Sequence, residues 1–293
     1  MSAGLSVAHL GPRSSWGYAL LLNWLTRALL GWLVALPLIT AVGASGLGAL
    51  PQADRALFEG GGLWLVELAF RESHALSGGL RASALLGLFA LALRTPVTAV
   101  LFFAAHDAKA TLSVAFRRAL SAFQRFLGLS VLELLGRGVL LGVTLLAARA
   151  LESVWHPANE ALAELAPLPA YLLGLGLLAL FTIFCDCSRA VSAASPKLRM
   201  GAALADAAGF VRARALPFLG SYLCFVGVSA LLLSLGARLV EALDVGRVGA
   251  FRVLGVYLVH QAALLGLCFF QWLWLRRVMT LTQPGPDSPS ALR

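Results

Sequence analysis

Residues 168–187 read LPAYLLGLGLLALFTIFCDC, twenty consecutive residues whose one charged side chain, Asp186, comes near the end. About 20 apolar residues are enough for a helix to cross the hydrocarbon core of a bilayer. Comparable apolar runs occur at 28–50, 82–105, 126–149, 215–237 and 252–276. The sequence therefore predicts six transmembrane helices.

The composition agrees with a chain that lies mostly in lipid. Hydrophobic residues make up 59% of the 293 residues and charged residues only 13%, whereas a soluble domain has roughly 25% charged residues. In lipid the backbone groups must be paired internally, and these runs are too long for barrel strands. We therefore expect an all-α integral membrane protein, with residues 1–282 as one polytopic domain and 283–293 as a disordered tail.

The distribution of basic residues predicts the orientation. With the N-terminus in the cytoplasm, lysine and arginine fall about twice as often on the cytoplasmic side as on the other side. Only two of the 23 basic residues are lysine, which is typical of a GC-rich bacterial genome. We expect a multi-pass protein of the bacterial inner membrane with both termini cytoplasmic. The net charge of +9 then points to anionic lipid headgroups as partners, and nucleic acid is not expected.

Three semi-polar stretches precede apolar spans and resemble one another. They are SSWGYALLLNWLTR (14–27), TLSVAFRRALSAFQR (111–125) and GAALADAAGFVRAR (201–214). Each ends in an aromatic residue followed shortly by arginine, a pattern that favours an amphipathic helix at the membrane surface. The candidate headgroup contacts are Arg27, Arg117, Arg118, Arg125, Arg212 and Arg214. The chain thus reads as three copies of an interfacial helix followed by a membrane hairpin. The approximate copies are 14–106, 111–190 and 201–280.

Polar residues inside the spans are candidates for a functional site, because an ionisable group in lipid is costly and needs a partner. They are Arg94, Glu133, Arg137, His260 and Gln261. Glu133 and Arg137 stand four residues apart in the order that favours pairing. One hypothesis is a structural cluster of Arg94, Glu133 and Arg137. Another is a net-positive site for an anionic solute, and a third is a proton relay between Glu133 and His260.

Two short motifs suggest chemistry that their context does not support. GASG at 43–46 resembles the serine motif of rhomboid intramembrane proteases, with His260 as the base. That family carries the serine on the fourth of six spans, whereas Ser45 ends the first span, so a rhomboid protease is rejected. Cys-Asp-Cys at 185–187 lacks a second pair of ligands at zinc spacing. We expect no metal, no cofactor and no catalytic activity.

The repeated arginine-bearing helices that lead into hairpins resemble the six-helix membrane domain of bacterial glycerophosphodiester phosphodiesterases and its stand-alone relatives. The catalytic domain of those enzymes has no counterpart in this sequence, so the resemblance implies a membrane module without an identified reaction. The first functional hypothesis is a lipid- or partner-binding membrane module or accessory subunit. The alternative is a transporter or channel for a small anionic solute that uses the intramembrane arginine and glutamate cluster.

Overall fold

The computed structural model describes residues 15–44, 73–107, 110–155, 165–195, 198–242 and 250–283. Within these ranges the regular structure consists of eight α-helices and contains no strand. The helices are α1 (Ser15–Ala44), α2 (Ser73–His106), α3 (Leu112–Ser121), α4 (Phe123–Val154), α5 (Leu168–Ala194), α6 (Met200–Ala213), α7 (Ala215–Ala242) and α8 (Ala250–Thr282). The prediction of an all-helical chain is confirmed for this part of the sequence.

Six of these helices, α1, α2, α4, α5, α7 and α8, are long and apolar enough to cross a membrane. Large apolar side chains remain exposed along them, such as those of Leu172, Leu173 and Leu175 on α5. A soluble protein would bury such stripes, whereas lipid solvates them and leaves the backbone to pair within each helix. The predicted number of six spans agrees with this count.

The first helix differs from its predicted form. The sequence separates a surface helix at 14–27 from a span at 28–50, whereas α1 is continuous from Ser15 to Ala44. No break occurs at the expected junction, because no proline or glycine stands between Leu22 and Leu30 and the apolar pattern continues on both sides. The glycine-rich stretch that follows Ala44, including Ser45, lies outside the described residues.

Two short helices each join a long helix through a single non-helical residue. Ala122 separates α3 from α4, with φ −97° and ψ 0°. Arg214 separates α6 from α7, with φ −131° and ψ 34°. Helix α3 covers most of the predicted lead-in stretch at 111–125, whose last three residues belong to α4, and α6 covers all but the last residue of the stretch at 201–214.

Helix α3 presents three different faces. Ala115 and Ala119 are buried, whereas Phe116 and Leu120 are 42% and 53% exposed. Arg117 and Arg118 are exposed on the remaining side, together with Ser113 and Ser121. One side of the helix therefore packs against the protein, a second is apolar and uncovered, and the third is basic.

The chain forms two compact units. One, called here the ion-network unit, comprises residues 1–18, 98–227 and 271–293. The other comprises 19–97 and 228–270. In the second unit the Ser83 hydroxyl donates to the Val34 carbonyl at 2.7 Å and links α2 to α1.

In the ion-network unit α4 and α5 run antiparallel at close range. The Phe181 ring lies over Gly136, and the Thr144 side chain lies over Gly174. Because the residue numbers rise along one helix as they fall along the other, these two contacts fix the register. A Cβ atom at either glycine would collide with the facing side chain, so a larger residue there would force that side chain or the helix to shift.

We predict that Gly136→Ala lowers the free energy of unfolding by about 1–3 kcal/mol, the usual cost of overpacking a close contact. Gly138→Ala is the matched control on the same helix, because nothing lies within 4 Å of the position its Cβ would take. The measurement is thermal unfolding of the purified protein in detergent. Equal melting temperatures for the two variants would contradict the close packing of α4 on α5.

Candidate functional site

A network of charged side chains joins α4 to α5 inside the ion-network unit. On α4, Glu133 forms an ion pair with Arg137 one turn later. Its second oxygen accepts a 2.5 Å hydrogen bond from Nη2 of Arg189 on α5. The i, i+4 pairing is the one that the sequence predicts, whereas the bond to Arg189 crosses between the helices.

Arg189 is the centre of this network. Its Nη1 donates to Asp186 on the preceding turn of α5 at 3.2 Å, and its Nη2 also donates to the Ser130 hydroxyl of α4 at 3.2 Å. The side chain of Arg189 is only 6% exposed. A buried guanidinium is stabilised only when acceptors surround it, and two carboxylates and a hydroxyl provide that surrounding here.

The network extends to α7 and α8. The other oxygen of Asp186 accepts a 2.8 Å hydrogen bond from the indole Nε1 of Trp274. Trp274 packs edge-on against Tyr222 of α7 with 5.2 Å between the ring centroids. The Tyr222 hydroxyl in turn shares a hydrogen bond with Thr182, which also accepts from Nη2 of Arg137 at 3.1 Å. One polar network therefore contacts α4, α5, α7 and α8.

The formal charge of the network sums to zero. Its two carboxylates, Glu133 and Asp186, face the two guanidinium groups of Arg137 and Arg189. Opposite charges held this close in a low-dielectric environment stabilise each other strongly, provided that all of them are present. Such an arrangement suits the fixing of helices. It leaves no excess charge among these four side chains for an anionic substrate.

Sequence reasoning missed half of this network. It counted Asp186, at the very end of the predicted fourth span (168–187), and Arg189, two residues beyond that end, among the charges on the cytoplasmic side. Helix α5 instead continues to Ala194, and both side chains lie within it. The three-residue spacing of an acid and an arginine at the end of an apolar run is the signal that would have suggested a pair.

The other predicted intramembrane residues lie in the second unit. The charges of Arg94 and Arg27 both act on the thiol of Cys268, and Arg27 also hydrogen-bonds it. Ring nitrogen Nδ1 of His260 is 2.9 Å from the Val256 carbonyl on its own helix. Gln261 is half-buried. The described contacts of Glu133 are with Arg137 and Arg189, so the grouping with Arg94 and the relay to His260 stay predictions.

The predicted headgroup arginines fall into different surroundings. Arg117, Arg118 and Arg212 are exposed. Arg125 and Arg214 are half-buried and donate to backbone carbonyls. Arg125 binds the carbonyl of Leu198, and Arg214 binds those of Leu281 and Gln283. Arg27 lies half-buried within α1.

The cysteines of the Cys-Asp-Cys motif, Cys185 and Cys187, are fully buried and unbonded to each other. In the described ranges no three side chains of histidine, cysteine, aspartate or glutamate come together as a set of metal ligands. The chain matches no protein family model, and no significant match is found among curated proteins or solved structures. The interpretation of the candidate site therefore depends on the geometry of its residues alone.

We predict that Arg189→Leu lowers the free energy of unfolding by about 3–5 kcal/mol, because it leaves buried carboxylates without their cation. The matched control is Arg238→Leu, which removes a salt bridge to Glu241 whose arginine side chain is 79% exposed. We expect that variant to lose less than about 1 kcal/mol. Unfolding in detergent, followed by circular dichroism, measures both. Similar losses for the two variants would show that the network does not stabilise the fold.

Proposed function

We propose that this chain is a non-catalytic integral protein of the bacterial inner membrane that acts as a lipid- or partner-binding module or accessory subunit. The observation that carries the proposal is the three-faced helix α3. Its features match those of a helix that lies in the surface of a membrane while one side is held by the rest of the protein.

The uncovered apolar face of α3 supports contact with lipid. Leu112, Phe116 and Leu120 follow one another at four-residue intervals, so they form one stripe along the helix. Beside this stripe the exposed side chains of Arg117 and Arg118 are placed to meet the phosphates of anionic lipids. Apolar insertion and basic headgroup contact reinforce each other in such a helix.

The two arginines of α3 differ in their surroundings. Nη1 of Arg118 lies 3.6 Å from a carboxylate oxygen of Asp107, in the segment just before α3. The carboxylate of Asp107 partly neutralises the positive charge of Arg118. Arg117 therefore carries the stronger share of the proposed attraction to anionic lipid.

The ion network supports a structural interpretation of the intramembrane charges over transport of an anion. Glu133 and Asp186 each bind Arg189, and their combined charge balances that of the two arginines. A binding site for an anionic solute needs positive charge that the protein does not already neutralise. We therefore favour the module over the transporter.

The proposed architecture consists of three membrane hairpins, each of which begins and ends on the cytoplasmic side. The hairpins are α1 with α2, α4 with α5, and α7 with α8. Helices α3 and α6 serve as the interfacial helices before the second and third hairpins. This plan is similar to that of the membrane domain of bacterial glycerophosphodiester phosphodiesterases, and it predicts that α3 and α6 lie on the cytoplasmic surface.

The lipid proposal is tested by binding of spin-labelled phosphatidylglycerol and spin-labelled phosphatidylcholine to the full chain in vesicles. Each arginine near an anionic surface contributes about 1 kcal/mol, so Arg117→Gln weakens the preference for phosphatidylglycerol roughly fivefold. Arg238→Gln removes an exposed arginine from the end of α7 and serves as the control. An unchanged preference in Arg117→Gln would refute the role of α3.

The orientation is tested with reporter fusions in a bacterial host. Green fluorescent protein fused after Arg293 is expected to fluoresce, and alkaline phosphatase at the same place is expected to be inactive. Phosphatase inserted after Trp155, which follows α4, is expected to be active. An active phosphatase at the C-terminus would reverse the proposed topology.

A further inference from the structure

Arg137 holds an unusual position for a half-exposed charge. It lies midway between Arg125 and Arg149, the charged residues that bracket the apolar part of α4, twelve residues from each. At 1.5 Å per residue this distance is about 18 Å, which places Arg137 near the middle of a bilayer core about 30 Å thick. Its side chain is nevertheless 47% exposed.

Part of this guanidinium has no acceptor among the described residues. Both polar contacts of Arg137, to Glu133 and to Thr182, are made by Nη2. The N–H groups of Nε and Nη1 remain for another acceptor. In lipid an unsatisfied polar group of this kind is costly, so a surface that exposes it at this depth is incomplete.

The surface around Arg137 fits a helix. Leu134 and Leu141 stand three residues before and four residues after Arg137, and Gly138 stands four after Leu134 and three before Leu141, so these four exposed residues form one side of α4. No atom lies within 4 Å of the place that a Cβ on Gly138 would occupy, so a neighbour has room to approach the backbone. The face combines an apolar contact area with a positive group at its centre.

The possible occupants differ in where they offer an acceptor. Lipid phosphates lie about 15 Å from the midplane, beyond the reach of an arginine side chain at the middle of the helix. A second copy that packed through the same face would bring a second Arg137 against the first, and the one acidic or amide side chain that α4 carries near this depth, Glu133, is already bound to Arg137 and Arg189. A water-filled pathway is disfavoured by the apolar side chains of Leu134 and Leu141.

We propose that the face of α4 formed by Leu134, Arg137, Gly138 and Leu141 binds a transmembrane helix of another protein, which carries a carboxylate or amide side chain near the bilayer midplane. That acceptor completes the hydrogen bonds of the Arg137 guanidinium, while Gly138 allows the two helices to pack closely. The inference rests on the proposed role of the chain as a partner-binding module and names the chemistry of the partner.

The test uses the full chain in its native membranes, with the photoreactive residue benzoylphenylalanine in place of Leu141. We expect one cross-linked protein, joined through a membrane-spanning segment that has an acidic or amide residue at the depth of Arg137. Arg137→Leu is expected to lower the yield of the adduct at least about tenfold, because it removes a buried charged hydrogen bond. Arg149→Leu, on the same helix at the membrane surface, is expected to leave the yield unchanged.

A second variant distinguishes a loss of binding from a folding defect caused by Arg137→Leu. Gly138→Leu keeps the ion network and adds bulk only where the chain leaves open space. It is expected to retain the melting temperature of the wild type and to lose the adduct. Replacing the polar residue of the partner with leucine should lower the yield in the wild type and have no additional effect in Arg137→Leu.

Several results would overturn the inference. They are the absence of an adduct, an adduct with lipid or with a second copy alone, and a protein adduct that is insensitive to both Arg137→Leu and Gly138→Leu. Labelling of Arg137→Cys by a membrane-impermeant thiol reagent, above the background of the wild type, would favour a water-filled pathway instead. Failure here would leave the lipid preference of α3 unaffected, so the two proposals fail separately.

Discussion

The buried guanidinium of Arg189 is the constraint on which the ion-network unit depends. It binds Glu133 and Ser130 on α4 and Asp186 on its own helix, and through Asp186 it connects to Trp274 on α8. A charge in lipid is tolerated only with its partners in place. The helices that supply those partners are therefore held in one arrangement, which apolar contacts alone would specify less sharply because lipid competes equally well for them.

Close packing and the ion network support each other. The Phe181 ring over Gly136 and the Thr144 side chain over Gly174 set the register of α4 against α5. In that register Glu133 of α4 lies opposite Arg189 of α5, beyond the contact of Phe181 with Gly136. A slip of one turn would move the carboxylate about 5.4 Å along the helix and separate the pair. Steric fit and electrostatics thus select the same alignment.

Glu133 and Arg137, the two charged residues of α4 that belong to the ion network, have different surroundings. Glu133 is mostly buried, and each of its two carboxylate oxygens binds an arginine of the chain, as a structural role requires. Arg137 lies on the exposed side of α4, and about half of its side chain stays uncovered. Although the ion network is neutral overall, the guanidinium of Arg137 can therefore still donate hydrogen bonds to a group outside the network. This combination is what would be expected where a membrane protein binds another helix rather than a free ion.

The lead-in stretches show what an amphipathic sequence pattern can and cannot predict about a helix. The amphipathic pattern of 111–125 predicted α3, and it also identified the arginines that lie on its exposed side. The same kind of pattern at 14–27 predicted a separate helix, but the chain there continues into α1 without a break. Local periodicity shows which faces are polar. It does not show whether the helix ends, because that depends on the backbone at a single residue such as Ala122.

Composition and periodicity alone determined that the chain is helical, that six helices are long and apolar enough to cross a membrane, and that Glu133 pairs with Arg137. These properties follow from the cost of unpaired backbone in lipid and from the 3.6-residue turn, and both act locally. Only the tertiary structure decided that Glu133 also binds Arg189, and that Asp186 belongs to the same network. Those contacts join residues more than fifty positions apart, or depend on where a helix ends, and the packing of glycine against Phe181 and Thr144 brings them within reach.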